Sequence, residues 1–551
     1  MAESKENLQM EKIVSLCKRR GFIYQSSEIY SGINGFWDYG PMGAELKRNV
    51  KELWWNTMTR EREDVVGLDA TIIMSPAIWK ASGHVDTFSD PMCDCKKCKK
   101  RHRADQLCEE QGLTLSKDAN GKFSLPAGTK CTGCGSTELT EPRPFNLMFK
   151  TYVGPVESED NVAYLRPETA QAIFAQFKNV LETSRQKVPF GIAQIGKAFR
   201  NEVTPRNFTF RSREFEQMEL EFFIKPDEAI EAIHGSVATV PTTGHPGEPQ
   251  PNWGWQAWHQ YWVEERVRFY ESIGLSRDTL GFHIQTAEEL AHYARATTDI
   301  LFKFPFSKRD ENGELKGEEL EGIAARSDFD LSQHQRFSGK PMGVFDEELR
   351  TAWGKLPKEK QDELWRRYYE NRKKYLTKMG VAEEAAAKQA TEDANGLAKG
   401  QYIPHVIEPS AGADRLILAL IANAYTETTK TDDKGKSETL VMMKFHPRVA
   451  PIKVAVLPLL KNKPELVKKA LAVRDLLRPW MNVFYDDSGS IGRRYARQDE
   501  IGTPFCVTID FDTLGEKPEL LDTVTLRYRD DGKQERLKIS ELRDWLLTRI
   551  R

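Results

Sequence analysis

The stretch from residue 191 to 223 constrains the fold most, because two runs with strand-like alternation flank a polar turn around Pro205. Such a pattern predicts a long antiparallel hairpin. Successive side chains of a strand point to opposite faces, so Met218, Leu220 and Phe222 are expected to pack on a core. The other face is mostly polar and carries Gln194, Ala198, Arg200, Glu202, Arg213, Phe215, Gln217, Glu219 and Glu221. That face is either a solvated sheet surface or a site.

Length and net charge limit the number of domains and the kinds of partner that this chain can have. The chain has 551 residues, 39% of them hydrophobic, which is enough for two to four domains with separate cores. Its 80 Lys and Arg against 82 Asp and Glu give a net charge of −2, so nucleic-acid binding would need a local basic surface. The N-terminal segment is too polar for a secretory signal, and no apolar run approaches the roughly 20 residues that span a bilayer. We expect a cytoplasmic protein without membrane contact.

Six of the eight cysteines lie between Cys93 and Cys134, which favours metal binding over a disulfide scaffold. Four of them form two pairs with two intervening residues in each pair, namely Cys95, Cys98, Cys131 and Cys134. Thiolates at this spacing can close a tetrahedral Zn²⁺ site of the ribbon type, so residues 92–140 are predicted to be a zinc-ribbon-like insert. A metal-free loop is the alternative, and Cys93 and His102 are substitute ligands.

Two other segments lead into helices. From Gly32 to residue 55, a glycine-rich bend continues into a helix whose apolar stripe fits either buried core or a subunit interface. Residues 164–177 place Glu168 at a strand end, before a helix that is predicted to begin near Pro167.

The C-terminal part divides into three patterns. Residues 345–400 have the composition of charged amphipathic helices, without a catalytic constellation. An apolar run then ends at Glu408 and turns into a helix carrying Arg415, an arrangement that presents side chains and backbone amides to a ligand. Residues 441–551 have the strand and helix pattern of a compact α/β domain. Residues 441–500 contain 12 Lys or Arg against 6 Asp or Glu, a local excess whose simplest explanation is a solvated surface.

Three of these segments resemble motifs 1, 2 and 3 of the class II aminoacyl-tRNA synthetases: the bend and helix at 32–55, the FRNE hairpin at 199–219 and the GADR turn at 412–415. The sequences RPETAQ, REFEQMELEFF and EPSAGADR are similar to those of the homodimeric glycyl-tRNA synthetase family. The resemblance covers nearly the whole chain. The helices at 345–400 depart from the family pattern, and their role is open.

The resemblance implies an α+β, multi-domain protein. Residues 1–440 would form a class II catalytic domain, with an antiparallel sheet flanked by helices, the zinc-ribbon-like insert and a helical insert at 345–400. Residues 441–551 would form an α/β anticodon-binding domain whose basic excess faces RNA. The motif 1 likeness implies a homodimer.

The activity implied by the family is ligation of glycine to tRNA(Gly). The glycine carboxylate attacks the α-phosphorus of ATP, pyrophosphate leaves, and the glycyl group of the adenylate then moves to the 3′-terminal ribose of tRNA(Gly). Mg²⁺ is expected to bridge the phosphates. The first step needs positioning and charge stabilisation more than covalent help from the protein.

The resemblance also assigns the ATP site. Arg200 and Arg415 are the expected catalytic residues, Arg200 on the α-phosphate and Arg415 on the distal phosphates. Glu202 would face the adenine amino group and Phe215 would stack on the ring. The full set assigned to ATP is Arg200, Asn201, Glu202, Phe210, Arg211, Ser212, Arg213, Glu214, Phe215, Glu319, Leu320, Gly412, Ala413, Asp414 and Arg415.

For the amino acid, the resemblance places Glu168, Glu219 and Glu408 around the substrate ammonium group. Glycine has no side chain that a site could bind, so its ammonium group is the main feature available for recognition. Alanine must then be excluded by steric clash of its methyl group. The complete predicted set is Arg103, Glu168, Phe215, Gln217, Glu219, Glu408, Ser410 and Gly412. For each glutamate, a structural salt bridge is the alternative.

Three other functions compete with this one. The chain could be a synthetase-like binding protein that has lost catalysis, although retention of Arg200, Glu202, Phe215 and Arg415 argues against that class. It could be a zinc-ribbon nucleic-acid module, which its length disfavours. It could activate serine, threonine or proline instead, which the three glutamates disfavour.

Overall fold

The computed structural model describes residues 5–118, 122–241, 243–291, 294–431 and 437–551. Its centre is a seven-stranded sheet whose strands, in chain order, are β1 Val65–Gly67, β2 Phe190–Phe199, β3 Glu214–Ile224, β4 Leu280–Ile284, β5 Ala296–Phe302, β6 Glu318–Ser327 and β7 His405–Gly412. The spatial order is β4-β5-β6-β7-β3-β2-β1, and every pair is antiparallel except β2 with β1. Strands β2 and β3 are the two arms of the predicted hairpin.

Ten helices surround this sheet or extend from it: α1 Lys5–Arg20, α2 Pro41–Trp55, α3 Ala170–Ser184, α4 Asp227–His234, α5 Trp255–Ser272, α6 Phe329–Ser338, α7 Glu347–Lys355, α8 Lys358–Lys378, α9 Glu383–Leu397 and α10 Ala413–Ala424. The predicted start of α3 near Pro167 is three residues early. The carbonyl group of Pro167 accepts a hydrogen bond from Arg200 Nε at 3.0 Å, and Thr169 is the residue that precedes the first helical turn.

The two faces of the sheet pack against different helices. Met218, Leu220 and Phe222 lie in one core with α1, α2, α5 and α10, as the alternation predicted. On the opposite face, Phe223 packs with Phe177 of α3. The helical insert adds to this second core, since α7 and α8 contribute buried side chains to it. Residues 345–400 therefore cover the sheet face that also carries Glu219 and Glu221.

The remaining small elements belong to the insert near the N-terminal half and to connections. Short helices span Pro76–Ala81, His84–Thr87 and Ala104–Glu109, and short strands span Ile23–Gln25, Trp37–Tyr39, Ile73–Met74, Ser89–Asp94, Arg101–Arg103, Ser116–Lys117, Phe123–Ser124, Arg143–Asn146, Lys150–Tyr152, Val162–Leu165, Val344–Phe345 and Gln401–Tyr402. The strand Ser89–Asp94 pairs with Arg101–Arg103 and with Arg143–Asn146. This small sheet carries the cysteine-rich segment.

The C-terminal part is an α/β unit with its own core. Its strands are β8 Val454–Pro458, β9 Val483–Tyr485, β10 Phe505–Ile509, β11 Thr523–Tyr528 and β12 Gln534–Lys538, and its helices are α11 Pro464–Leu477, α12 Ile491–Ile501 and α13 Ile539–Ile550. Before it, Tyr425–Thr431 pairs with Ser437–Met443. That hairpin crosses residue 440, so the domain division at this position stays a prediction. The mixed architecture and separate C-terminal unit confirm the predicted fold class.

Candidate active site

A cavity of about 170 Å³ lies beside the β2–β3 hairpin. Three segments that are distant in sequence line it: the hairpin and its connecting loop, the start of β6, and the turn from β7 into α10. The lining residues are Arg200, Glu202, Thr209, Phe210, Arg211, Ser212, Phe215, Glu216, Gln217, Glu319, Leu320, Ser410, Gly412, Asp414 and Arg415. The structure thus brings most of the residues predicted for ATP to one place.

Three arginines line this cavity. Arg211 donates from Nε to Glu202 Oε2 at 2.8 Å, and the other two are held by backbone and aromatic contacts. Arg200 Nε donates to Pro167 O at 3.0 Å, and its guanidinium carbon lies 5.2 Å from the centroid of the Phe215 ring. Arg415 Nη1 donates to Glu319 O at 3.1 Å, and its guanidinium carbon lies 4.5 Å from the Phe210 ring centroid. Fixed, planar cations of this kind are suited to a polyanion such as a chain of phosphates.

Asp414 ties the turn to neighbouring elements. Its Oδ1 accepts hydrogen bonds from Tyr39 Oη at 2.6 Å and Lys47 Nζ at 2.7 Å, and its Oδ2 accepts one from the Glu216 backbone amide at 2.6 Å. Burial opposes ionisation of this carboxyl, but the Lys47 ammonium outweighs it and lowers the pKa of Asp414. The charge of Asp414 therefore fixes α2, β3 and α10 relative to one another.

Some predicted residues do not line the cavity. Arg213 donates to Glu202 O at 2.8 Å and to Asn34 O at 2.9 Å, so it braces the loop. Glu214 forms an ion pair with Lys197 at 2.7 Å. Contact of these two side chains with ATP stays a prediction.

Three more predicted residues also lie outside the lining. Arg103 forms ion pairs with Asp90 at 3.1 Å and Asp105 at 2.5 Å. Ala413 is buried in the core, and the backbone amide of Asn201 donates to a neighbouring loop. The site roles of Arg103, Asn201 and Ala413 stay predictions.

A cluster of buried carboxyl groups adjoins the cavity at Ser410. Glu219 Oε1 accepts hydrogen bonds from Ser410 Oγ at 2.7 Å and Gln217 Nε2 at 2.8 Å, and its Oε2 accepts one from Thr169 Oγ1. Burial, together with the nearby Glu168 charge, raises the pKa of Glu219. The polar face of β3 is thus a buried site and not a solvated surface.

Glu168 and Glu408 complete the predicted trio. Glu168 Oε2 lies 3.3 Å from His84 Nε2. Burial opposes its ionisation, but His84 and Arg326 outweigh burial and lower the pKa of Glu168. Glu408 Oε1 accepts a hydrogen bond from Arg326 Nη1 at 2.6 Å. Burial raises the pKa of Glu408 to about 7 against the opposing effect of Arg326, and Glu219 adds to the rise. A cluster with this excess of carboxyl groups is suited to a cationic group.

Sequence reasoning missed Arg326, the cation within this cluster. Its Nε and Nη2 donate to both oxygens of Asp330 at 2.8 and 2.9 Å, which directs Nη1 towards Glu408. Gln171 was also missed, although it donates to Glu168 Oε1 at 3.1 Å. Arg326 is the next-to-last residue of β6, which pairs with β7, so only the pairing of the two strands links it to Glu408. No local pattern in the sequence carries that information.

The four predicted zinc ligands converge in the N-terminal insert. Their sulfur atoms all lie within 4.8 Å of one another. The Sγ atoms of Cys95 and Cys134 are 3.6 Å apart, as are those of Cys98 and Cys131. A tetrahedral Zn²⁺ with four thiolate ligands requires sulfur separations of about 3.8 Å. The donor set therefore fits Zn²⁺ in both chemistry and spacing.

The two substitute ligands differ in position. His102 Nε2 lies 3.2 Å from the Cys131 sulfur, next to the cluster. Cys93 lies in a small apolar core with Ala104 and Leu107. Among the helices that the structure describes, none is long and apolar enough to cross a membrane.

Comparison with known proteins gives two family matches. Residues 151–243 match the family described as tRNA synthetase class II core domain (G, H, P, S and T). Residues 453–549 match the family described as anticodon binding domain. The first range contains the hairpin, and the second covers most of the C-terminal α/β unit.

Full-length relatives are also similar to this chain. It is 44% identical over 543 residues to the glycine–tRNA ligase of Thermobifida fusca, covering 98% of both chains. It is 44% identical over 551 residues to that of Clostridium kluyveri, again covering 98% of both. The identity to the glycine–tRNA ligase of Thermus thermophilus is 42% over 574 residues, covering 98% of this chain and 99% of the relative.

Proposed function

This chain belongs to the glycine–tRNA ligase family of class II aminoacyl-tRNA synthetases, and we propose on that basis which of its residues bind ATP and which bind glycine. The enzyme ligates glycine to tRNA(Gly) at the expense of ATP. The cavity beside the hairpin binds ATP, and the adjoining carboxyl cluster binds the ammonium group of glycine. The observation that carries the proposal is the position of Ser410, which lines the cavity and also donates to Glu219.

Within the ATP site, the two arginines take different phosphates. Arg200 stabilises the charge that develops on the α-phosphate as the glycine carboxylate attacks it. Arg415 binds the distal phosphates, which leave as pyrophosphate. Phe215 stacks on the adenine and Glu202 accepts a hydrogen bond from the adenine amino group. The acceleration then comes from holding the two reactants in line and from charge stabilisation.

Mg²⁺ is expected to bind together with ATP. Two neighbouring carboxyl groups, those of Glu319 and Asp299, are candidate ligands. Glu319 lines the cavity. A Cβ atom on Gly322 would lie 3.9 Å from Glu319 Oε1 and 3.4 Å from Asp299 Oδ1, so the two carboxyl groups are close together. Burial raises the pKa of Asp299, and the Glu319 charge adds to the rise. Carboxylate oxygens are the protein ligands that Mg²⁺ prefers. Glu319 and Asp299 would hold the ion, which would neutralise phosphate charge; replacement of both by the corresponding amides should then weaken Mg²⁺-dependent binding of ATP.

Recognition of glycine rests on charge and on limited space. Glu168, Glu219 and Glu408 offer several acceptors to one ammonium group, while Arg326 offsets part of their mutual repulsion. A site that has no room for one methyl group rejects alanine more strongly than a loose apolar pocket does.

Amino-acid-dependent exchange of pyrophosphate into ATP tests this assignment. Among the twenty amino acids, glycine is expected to support exchange, and alanine and serine to give at most about 1% of that rate, because a buried charged site with no room for a methyl group discriminates sharply. Exchange with another amino acid in place of glycine would contradict the specificity. An absence of exchange with all twenty would favour the binding-protein alternative.

For the second step, the C-terminal unit is proposed to bind the anticodon of tRNA(Gly). The match to an anticodon-binding family supports this role, as does the excess of Lys and Arg between residues 441 and 500. Anticodon bases are usually recognised by stacking and by contacts to their edges. Crosslinking from anticodon nucleotides should therefore label residues 453–549.

The cysteine cluster is proposed to hold one structural Zn²⁺ through Cys95, Cys98, Cys131 and Cys134. Purified protein is expected to contain about one zinc per chain, and the double variant Cys95→Ser and Cys131→Ser should retain less than about a tenth of it, because two of four ligands are lost. Cys108→Ser is the matched control, since this thiol is buried in the same insert but lies outside the cluster. Zinc-free protein with an intact fold would rule out the site.

The protein is also proposed to be a cytoplasmic homodimer. Ile29 and Tyr30 lie just before the motif 1 segment and are 88% and 82% exposed. Exposed apolar side chains of this kind are expected at a surface that a second subunit covers. Light scattering should give a mass of about twice the 63.1 kDa chain. A monomer at micromolar concentration would contradict the dimer, and recovery in a membrane fraction would contradict the location.

A further inference from the structure

Helix α6 supports two of the carboxyl groups assigned to glycine. Asp330 in its first turn accepts both hydrogen bonds that orient Arg326, whose third donor reaches Glu408. Asp330 also accepts a hydrogen bond from Gln171 Nε2 at 2.9 Å, and the same nitrogen lies 3.1 Å from Glu168 Oε1. The orientation of Glu408 and of Glu168 therefore depends on where α6 places one aspartate.

The helical insert holds the N-terminal end of α6 through one buried guanidinium. Arg372 of α8 forms an ion pair with Asp328, which directly precedes α6, and its Nη2 donates to Ser332 Oγ at 3.0 Å. Its Nε donates to Asp393 of α9 at 2.5 Å. Arg372 is 6% exposed, so this cation joins α6 to two helices of the insert within the protein interior.

A buried ion network of this kind fixes geometry more than it adds stability. Desolvation of the charges offsets much of their attraction, whereas loss of one partner leaves another charge buried and alone. Arg372 forms ion pairs with both Asp328 and Asp393, so its removal takes the same cation from two carboxylates. Each of them then keeps a hydrogen bond from a neutral side chain, Asp328 from Ser332 and Asp393 from Gln389.

Asp328 directly precedes α6, and Asp330 lies in the first turn of this helix. A shift of that turn would therefore move Asp330 and, with it, the Arg326 side chain that Asp330 orients.

We propose that Arg372 is a positioning residue for glycine, through which the helical insert sets the affinity of the carboxyl cluster. This inference rests on the proposed role of Glu168 and Glu408 in ammonium binding. The ATP cavity has no lining residue from α6 or from the insert. The effect of Arg372 is therefore selective for the amino acid.

Steady-state pyrophosphate exchange with the full-length enzyme tests the proposal. Arg372→Met is expected to raise the KM for glycine about tenfold, a typical size for coupling through a packed network, with the KM for ATP changed less than about twofold. Arg367→Met is the matched control. Arg367 belongs to the same helix and lines the same cavity as Arg372, but it forms ion pairs with Glu228 and Glu231 of α4, so both KM values should stay unchanged.

A milder variant guards against misfolding. Ser332→Ala removes one contact of Arg372 and the hydrogen bond that Ser332 Oγ donates to Asp328 Oδ2 at 3.0 Å, but it leaves the ion pair between Arg372 and Asp328. It is expected to raise the KM for glycine about twofold to threefold with an unchanged melting temperature, in the same direction as Arg372→Met. Equal rises in both KM values for Arg372→Met, with no effect of Ser332→Ala, would overturn the proposal.

The variant Glu219→Gln distinguishes failure of the proposed glycine site from failure of the proposed role of Arg372. If Glu219→Gln left the KM for glycine unchanged, the carboxyl cluster would not be the glycine site, and the proposal for Arg372 would fall with it. If Glu219→Gln impaired glycine use while Arg372→Met behaved like Arg367→Met, only the positioning role would be wrong.

Discussion

Replacement of Arg200 by Met is expected to lower kcat for glycine-dependent pyrophosphate exchange by about 10²- to 10³-fold, the usual cost of removing one preorganised donor to transition-state charge. The guanidinium is fixed in the ground state, by Pro167 O on one side and by the Phe215 and Phe88 rings at 5.2 and 5.6 Å. It therefore meets the charge that develops on the α-phosphate without reorganisation. The KM for ATP should change far less than kcat, because the interaction strengthens as negative charge develops.

Lys197→Met provides the matched control for Arg200→Met. Lys197 belongs to β2 as well, but it pairs with Glu214 and does not line the cavity. Its replacement removes one positive charge from the same hairpin, and kcat should stay within about twofold of the parent value because the pair is exposed. If Arg200→Met raised the KM for ATP and left kcat intact, the arginine would be a ground-state binding residue and its assigned role would be wrong.

The second large effect is expected for Glu219→Gln, which should lower kcat/KM for glycine by at least about thirtyfold with little change in the KM for ATP. Removing one charge from a buried, hydrogen-bonded ion pair costs about 2 kcal/mol or more. Glutamine keeps the shape of glutamate. Ser410 and Gln217 can still donate to an amide oxygen at the Oε1 position, and the Thr169 hydroxyl can rotate to accept from the amide nitrogen at the Oε2 position, so the substitution changes mainly the charge. Exchange kinetics at varied glycine and at varied ATP separate the two substrates.

Glu264→Gln controls for the loss of a buried carboxylate as such. Glu264 lies in α5 and is 6% exposed, and its partner is Arg277, away from the cavity. This variant is expected to lower the melting temperature by a few degrees, since about 1 kcal/mol corresponds to a shift of that order, and to leave both KM values unchanged. Parallel losses for glycine and ATP in Glu219→Gln would indicate a general distortion of the sheet and would contradict the ammonium role.

Neighbouring Glu221 shows how far the strand pattern could predict the site. Alternation along β3 correctly placed Glu219 and Glu221 on the face opposite Met218 and Leu220. It left open whether that face was solvated. The structure answers this, since Glu221 is fully buried and neither of its carboxyl oxygens has a hydrogen-bond partner within the described residues. Burial raises its pKa well above the usual range, and the charge of Glu408 adds to the rise.

The sequence by itself determined the elements whose signal is local. Strand alternation predicted the hairpin, and the spacing of the cysteines predicted their convergence. The motif residues near 200 and 415 predicted a nucleotide site whose residues mostly line one cavity. Each of these patterns is complete within one short segment. Only the tertiary structure showed that Arg326 and Gln171 contact the carboxyl cluster, and that Arg372 joins α6 to the helical insert. Their contacts depend on the register between strands that are some 80 residues apart, such as Ala324 opposite Glu408, and on the packing of α6 between the sheet and the insert. The alternation within a strand determines which of its side chains face the core, but it does not identify the distant strand or helix that supplies the neighbouring side chain.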